Sequence, residues 1–495
     1  MNLVEVTIMS FVKELEKQTN RTYTENGAIA LRSTGDALVD LFSILGAMRP
    51  RTEAEIEAKF EMAYAINPEL VTKMVFYARD AREGLGERRT GRILLRCLAK
   101  KNPDVVRKNI ELIPFFGRWD DIFCLFDTAC EANMIALIKR TLAVDADALS
   151  RGENVSLLAK WMPSINTSSY ETVRLAKRLV RALGMTDKQY RQTLSALRKA
   201  IDIVERHMSA KDWENIYFAG VPANAMNRYS RVFERRSIAF KKYLEDLKAG
   251  KTKVNAGVLY PYDIVKKFMV GAGQNKTILQ EQWNALPNYV DGGKGVLVVA
   301  DVSGSMTWDN FTSMATSVGL ATYFAERNEG AFANMYMTFS ERPTLIKLDR
   351  NMPIDRKVRY VMHTDVGYNT NLEAVFDAVL RAAVKSNCPK DEMPSSIVVI
   401  TDMEIDELSG RGNVTFLDEM QARFNAAGFE LPNLVFWNVR SRHDTFHASF
   451  DDARVQMVSG HSASTFKLLM DSFNMTPYEC MMKALNSPRY EMIEF

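Results

Sequence analysis

Cysteine is scarce in this chain of 495 residues, and its five copies are poorly placed for chemistry. Cys97, Cys124, Cys130, Cys388 and Cys480 are odd in number and show no CxxC spacing. That argues against a disulfide framework or a thiolate zinc site and for a reducing, cytoplasmic setting. Histidine is equally sparse: only His443 and His447 share helical metal spacing, and no HExxH motif accompanies them. Net charge is nearly absent at +3, although its distribution is uneven. No apolar run approaches the roughly 18 residues of a membrane span, so no membrane partner is expected. The opening MNLVEVTIMSFVKELEK lacks a basic leader region, so no secretory signal is expected. The Gly-rich turn Glu83-Gly84-Leu85-Gly86-Glu87 lacks a following Lys-Ser/Thr and does not follow a strand. It reads as a tight interhelical turn rather than a phosphate loop.

What remains is an ordinary globular composition, 47% hydrophobic and 25% charged, in a chain long enough for several domains. Two textures divide it. Residues 1–285 read as helical, with a first helix over Phe11 to Gln18, a polar stretch, and a second helix over Ala37 to Met48. Beyond that, apolar positions recur at 3–4 spacing between Pro and Gly breaks, as in stacked helical hairpins of a HEAT-like α-solenoid. Residues 286–295, LPNYVDGGKG, form a linker of turn formers. From 296 to 495, short apolar runs alternate with helical patterns, which predicts a doubly wound parallel sheet. Thr344–Leu348 is expected beside it as an edge strand. The fold class is therefore multidomain, α followed by α/β.

The chemistry gathers at the start of the second half. Val296–Ala300 is an unbroken apolar run, the mark of a buried parallel strand, and it ends in Asp301-Val302-Ser303-Gly304-Ser305. Ligands bind at the carboxyl rim of such sheets. Three oxygen-bearing side chains at i, i+2 and i+4 converge if the loop curls, and hard oxygen ligands suit Mg²⁺ or another divalent cation. A second buried run, Ile397–Ile400, ends in Thr401-Asp402, and Thr370 lies in a loop between the two. Asp301, Ser303, Ser305, Thr370 and Asp402 can surround one ion; the bland alternative is a pair of helix-capping acids. Glu404 and Asp406, just beyond, read as a solvated loop near the rim rather than catalytic carboxylates. No nucleophile–base set is legible, so no enzymatic activity is expected.

Those five residues resemble, position by position, the metal-ion-dependent adhesion site (MIDAS) of von Willebrand factor A domains. The resemblance implies that Asp301, Ser303, Ser305 and Thr370 hold the cation, partly through water, and that Asp402 supports it. It also implies an open position for an acidic group of a protein partner, for example an AAA+ ATPase. The segments YARDAREGLGERRTGRILLRCLA, FGRWDDI and VPANAMNRYSRVF resemble TROVE-type modules of Ro-like proteins. There a ring of HEAT-like helices precedes an A domain. The likeness is closer to a less characterised branch that shares GYNTNLEAVFDAV, ITDMEID, LVFWNV and MVSGHSASTFKLLM.

Glu171 to Lys253 carries 19 Lys/Arg against 9 Asp/Glu. Arg174, Lys177, Arg178 and Arg181 share one helical face. Arg228, Arg231, Arg235, Arg236, Lys241 and Lys242 form a second series, followed by Lys251 and Lys253. Tyr190, Trp213, Tyr217, Tyr229, Phe233 and Tyr243 interleave. A positive groove with stacking aromatics suits RNA, whereas a solvated helix face with the aromatics in the core is the structural alternative. The resemblance to Ro-like proteins favours RNA and a ribonucleoprotein scaffold, with the A domain closing the ring or recruiting a partner.

Overall fold

The computed structural model describes residues 15, 18–271, 275–291, 295–339, 342–364, 367, 369–408 and 415–495. The first expected helix falls almost entirely outside them. The chain divides into two compact units that do not follow the linear texture. One comprises Met1–Val71, Glu83–Leu85 and Ala256–Ser487; the other comprises Thr72–Arg82, Gly86–Asn255 and Pro488–Phe495.

The first unit is built on a six-stranded sheet. Its strands are β3 (Val296–Asp301), β4 (Met335–Phe339), β5 (Thr344–Lys347), β6 (Ser396–Thr401), β7 (Asn433–Asn438) and β8 (Val455–Ser459). The order is β5-β4-β3-β6-β7-β8, parallel throughout except for the antiparallel edge strand β5. That is the doubly wound arrangement expected from the alternating pattern. The direction in which successive strands are added reverses at β3, whose other neighbour is β6; these two parallel strands pair from Val296 opposite Ser396 to Ala300 opposite Ile400. Asp301 and Thr401 therefore end neighbouring strands at the switch point, where α/β sheets open a crevice. β3, β6 and β7 are buried at every position, which their apolar sequences require of a sheet covered on both faces.

Part of that cover comes from segments expected in the helical half. The helix Pro261–Met269 packs on Thr312–Arg327, close enough that a Cβ on Gly319 would lie 3.2 Å from the Pro261 and Tyr262 backbone. The polar stretch after residue 18 is not featureless. It holds a hairpin, β1 (Arg21–Tyr23) paired with β2 (Ile29–Leu31). Leu31 exchanges backbone hydrogen bonds with Phe446, at 2.8 and 2.9 Å. The helix Ala37–Ile44, capped by Asp36, packs on β8.

The second unit is helical, and its helices pack on near neighbours in sequence, as expected of stacked hairpins. Glu131–Ser150, for example, touches both Tyr170–Leu183 and Asp187–Ala200. The expected helix opening at Arg118–Asp121 is a 3-10 helix, Trp119–Leu125. Asp121, only 1% exposed, takes Arg79 Nε at 2.7 Å and Arg92 Nε at 2.6 Å. The last residues of the chain belong here because Arg489 and Tyr490 satisfy the buried Asp80 carboxylate, at 2.7 Å and 3.0 Å. Among the described residues, no helix is long and apolar enough to cross a membrane.

Candidate metal centre

β3 delivers Asp301 fully buried at the rim. Its Oδ1 accepts the Ser303 N–H at 2.8 Å and its Oδ2 accepts the Thr401 hydroxyl at 2.5 Å. The chain then curls through a short 3-10 turn, Gly304–Thr307, which brings the Ser303 and Ser305 hydroxyls to 3.2 Å. Gly304 N–H donates to the Gly367 carbonyl at 3.1 Å, tying this loop to the one that carries Thr370. Thr370 is 1% exposed, and its N–H donates to Asp406 Oδ2 at 2.8 Å. After β6, Asp402 is 1% exposed, and Met403 adopts φ +69°, a left-handed turn that few non-glycine residues take. All five residues expected as ligands thus lie in the three loops at the switch point.

Burial, and then the Asp402 charge, pushes the Asp301 carboxyl up to about 7. Burial likewise raises Asp402, although Arg442 pulls the other way. Glu404 and Asp406 are also raised, first by burial. Against this set of acids stand Arg442, whose Nη2 lies 3.2 Å from Asp402 Oδ2, and at longer range Arg440. Two buried carboxylates beside three hydroxyls, short of positive charge, form a hard all-oxygen donor set that fits a divalent ion. Asp402 is engaged by Arg442 and by the Glu404 N–H at 3.4 Å.

Sequence reasoning missed the other wall. Asn26 Nδ2 reaches Thr370 Oγ1 at 3.2 Å. Glu25 bridges Arg442 Nη1 at 2.6 Å and His443 Nε2 at 2.8 Å. Ligand atoms of Glu25, Glu404 and His443 lie within 4.8 Å of one another. Trp308, 67% exposed, stands at the rim with the Arg442 guanidinium 5.4 Å from its ring centre. No local pattern announces these residues; only the final Trp308 sits beside the Asp301 motif.

One expectation for a nearby residue fails. Glu404 is not in a solvated loop: it is 2% exposed and its Oε2 accepts the Glu25 N–H at 2.7 Å. The helical spacing of His443 and His447 carries no shared site, in keeping with the missing HExxH motif. His447 is buried against Phe436, 5.3 Å between ring centres, and burial pulls it down to about 4. The Glu83–Glu87 segment is the tight turn expected, with Gly86 at φ +66°.

The structure sorts the basic residues by their partners. Arg174 pairs with Glu171 at 2.8 Å, Lys177 pairs with Asp187, and Arg178 pairs with Asp127 and Glu131 while lying 4.0 Å over the Phe126 ring centre. Arg181 is exposed beside them. Along Ala223–Arg236 and Ile238–Lys248, Arg228, Arg231, Arg235, Arg236, Lys241 and Lys242 are exposed, as are Lys251 and Lys253. Within the described residues, none of these eight is ion-paired to a carboxylate. Tyr190, Phe233 and Tyr243 are core residues, the latter two packed around Phe218 and Phe240. Tyr217, at 68% exposure, stays on the surface.

Two family models match this chain. Residues 295–489 match a domain of unknown function (DUF7788), and residues 24–134 and 177–292 match another (DUF2828). Neither description names the TROVE modules. The chain is 26% identical over 506 residues to the uncharacterized protein L728 of Acanthamoeba polyphaga mimivirus, covering 94% of this chain and 87% of that protein. Among solved structures it matches the Ro (RSR) protein of Deinococcus radiodurans at 12% identity and a TM-score of 0.44, over 92% of this chain and 99% of that one.

Proposed function

We propose that this protein is a non-enzymatic, cytoplasmic RNA-binding scaffold. Its helical unit holds single-stranded or structured RNA, and its sheet unit uses a Mg²⁺-type ion to dock a protein partner. The observation that carries the RNA reading is the exposed, unpaired series on Ala223–Arg236 and Ile238–Lys248. Arg228, Arg231 and Arg235 follow i, i+3, i+7 spacing, so they share one helix face. Cations with no internal carboxylate hold their charge for an external anion, and a phosphate backbone presents anions in series. Tyr217, exposed in the same unit, offers a ring for base stacking. The Arg174–Arg178 group, already paired internally, contributes less. The resemblance to TROVE-type modules points the same way.

At the sheet rim, Asp301, Ser303, Ser305 and Thr370 would hold the ion and Asp402 would support it. When bound, the ion supplies an electrophilic position for a carboxylate. Trp308 gives that face an exposed apolar anchor.

RNA binding is tested by titrating single-stranded and hairpin RNA across a salt series. Reversing Arg231, Arg235, Lys241 and Lys242 together to Glu is expected to reduce the slope of log K against log salt by about 3, from ~0.7 per lost phosphate contact. If the wild-type protein purifies without nucleic acid and shows no salt-dependent shift, the RNA reading fails.

A second reading, a protein-interaction adaptor without RNA, is favoured by Trp308 alone. Asp301→Ala would then abolish partner capture while the helical unit keeps its fold. A metal-dependent nuclease is the weakest alternative. The nearest carboxylates, Glu404 and Asp406, are engaged by the backbone N–H groups of Glu25 and Thr370, so neither is placed as a base. RNA turnover in Mg²⁺ or Mn²⁺ that is lost in Asp301→Ala would reinstate it.

A further inference from the structure

The rim that gathers the metal-site residues is closed on one side by the tip of the β1–β2 hairpin. Every residue of that tip from Thr24 to Gly27 is tied to it. The Thr24 hydroxyl donates to the Ile405 carbonyl at 2.7 Å. The Glu25 N–H donates to Glu404 Oε2 at 2.7 Å. Asn26 Nδ2 donates to the Glu404 carbonyl at 2.7 Å and to Thr370 Oγ1 at 3.2 Å, and the Asn26 carbonyl accepts the Glu407 N–H at 3.2 Å. Gly27, at φ +91°, forms an isolated antiparallel bridge with Asp406. Asp406 in turn fixes Thr370 from its backbone side.

We propose that this hairpin tip is a working part of the cation site. Asn26 is a positioning residue for the Thr370 hydroxyl, and cation binding is thereby coupled to the order of the N-terminal hairpin. The inference rests on the metal-centre reading above and extends it to residues outside the motif.

A hydroxyl oxygen has two lone pairs and one proton. The Asn26 amide fills one lone pair, which turns the Thr370 proton aside and leaves the second lone pair for the ion. Groups behind a metal ligand fix its orientation in this way, and their loss commonly costs about 10–100-fold in metal affinity. Asn26 is at the solvent-exposed edge, so its effect falls at or below the lower end of that range. Glu25 acts on charge. Arg442 pairs with both Glu25 and Asp402, and without Glu25 its full positive charge would fall on Asp402 and oppose the ion. Coupling is reciprocal: if the hairpin tip improves ion binding, the ion must restrain the hairpin.

The test uses the full chain with Mn²⁺ alone as probe, followed by calorimetry or electron paramagnetic resonance, together with amide exchange across Arg21–Leu31 with and without Mg²⁺. Asn26→Ala is expected to weaken Mn²⁺ binding three- to tenfold, the loss of about one hydrogen bond. Glu25→Gln, a milder change, is expected to weaken it in the same direction. In wild type, Mg²⁺ is expected to slow exchange in the hairpin several-fold, and in Asn26→Ala that slowing is lost. The proposal is overturned if Asn26→Ala binds Mn²⁺ as wild type does, or if Mg²⁺ protects the Asp301–Ser305 loop and leaves the hairpin unchanged. It is also overturned if the variant has already lost hairpin protection in EDTA, since the tip would then only hold the fold. A wild-type protein that binds no Mn²⁺ sinks the metal-centre reading itself, a result separable from all of these.

Discussion

With no cation bound, this protein is expected to lose stability as pH rises, the reverse of what most carboxylates do. Asp301 is fully buried, and its carboxyl is pushed up to about 7 by burial and by Asp402, from 3.8 when unperturbed. Below pH 4 the proton is bound in both folded and unfolded chains, and the group is neutral to stability. Between roughly pH 4 and 7 the folded state holds a proton that the unfolded chain has released, so folding weakens as pH rises. Above 7 the penalty is complete. A gap of about three units at ~1.36 kcal/mol each amounts to about 4 kcal/mol. A divalent ion held by Asp301 and Asp402, as proposed, would replace the proton and remove that penalty. Mg²⁺ should therefore stabilise little at pH 5 and most at pH 8. At roughly 2 °C per kcal/mol for a unit of this size, the gain in Tm at pH 8 is about 8 °C. Differential scanning calorimetry in EDTA and in Mg²⁺, from pH 5 to pH 8, reads it directly. Asp301→Asn keeps the shape without the charge. In EDTA at pH 8 it should melt above wild type, and Mg²⁺ should no longer raise its Tm. A Mg²⁺ increment that is flat with pH, or that shrinks toward pH 8, would refute the reasoning.

Two structural changes test the packing on which both candidate surfaces depend. Asp121→Ala strips the buried Arg79 guanidinium of its carboxylate and leaves Arg92 with Asp120, and should cost about 3–5 kcal/mol in denaturant unfolding of the helical unit; a loss under about 1 kcal/mol would show that solvent already screens the cluster. Gly46→Ala places a Cβ 2.6 Å from the Gly460 Cα and the Ser459 carbonyl, both rigid backbone, so about 1–3 kcal/mol should be lost and the midpoint of the sheet unit should fall.

The half that carries the six-stranded sheet was largely legible in the sequence because its signals are local. An apolar run with β-branched residues specifies a buried strand by its own composition, and the acid that ends it marks the rim. Asp301, Ser303 and Ser305 lie within one curl of chain, and Thr370 and Asp402 occupy matching positions after later elements. The edge strand β5 was readable for the same reason. The basic series was readable as charge but not as function. Helical spacing places Arg178 and Arg235 alike on outer faces, and only packing brings Asp127 and Glu131 to Arg178 while leaving Arg235 without a carboxylate. The interleaved aromatics show the same limit: composition gives Phe233 and Tyr217 similar standing, and the fold buries one and exposes the other.

Taken alone, the sequence determined the two textures, the strand and helix alternation of the second half, and the five-residue oxygen set. Tertiary structure decided which segments build each compact unit. It joined the described residues up to Val71 to the sheet unit, where the helix Ala37–Ile44 packs on β8. It sent Pro488–Phe495 to the helical unit, where Arg489 and Tyr490 satisfy a buried carboxylate. It also brought Glu25 and Asn26 to Arg442 and Thr370. Periodicity reports how a residue sits within its own element; which distant side chains meet depends on how those elements pack.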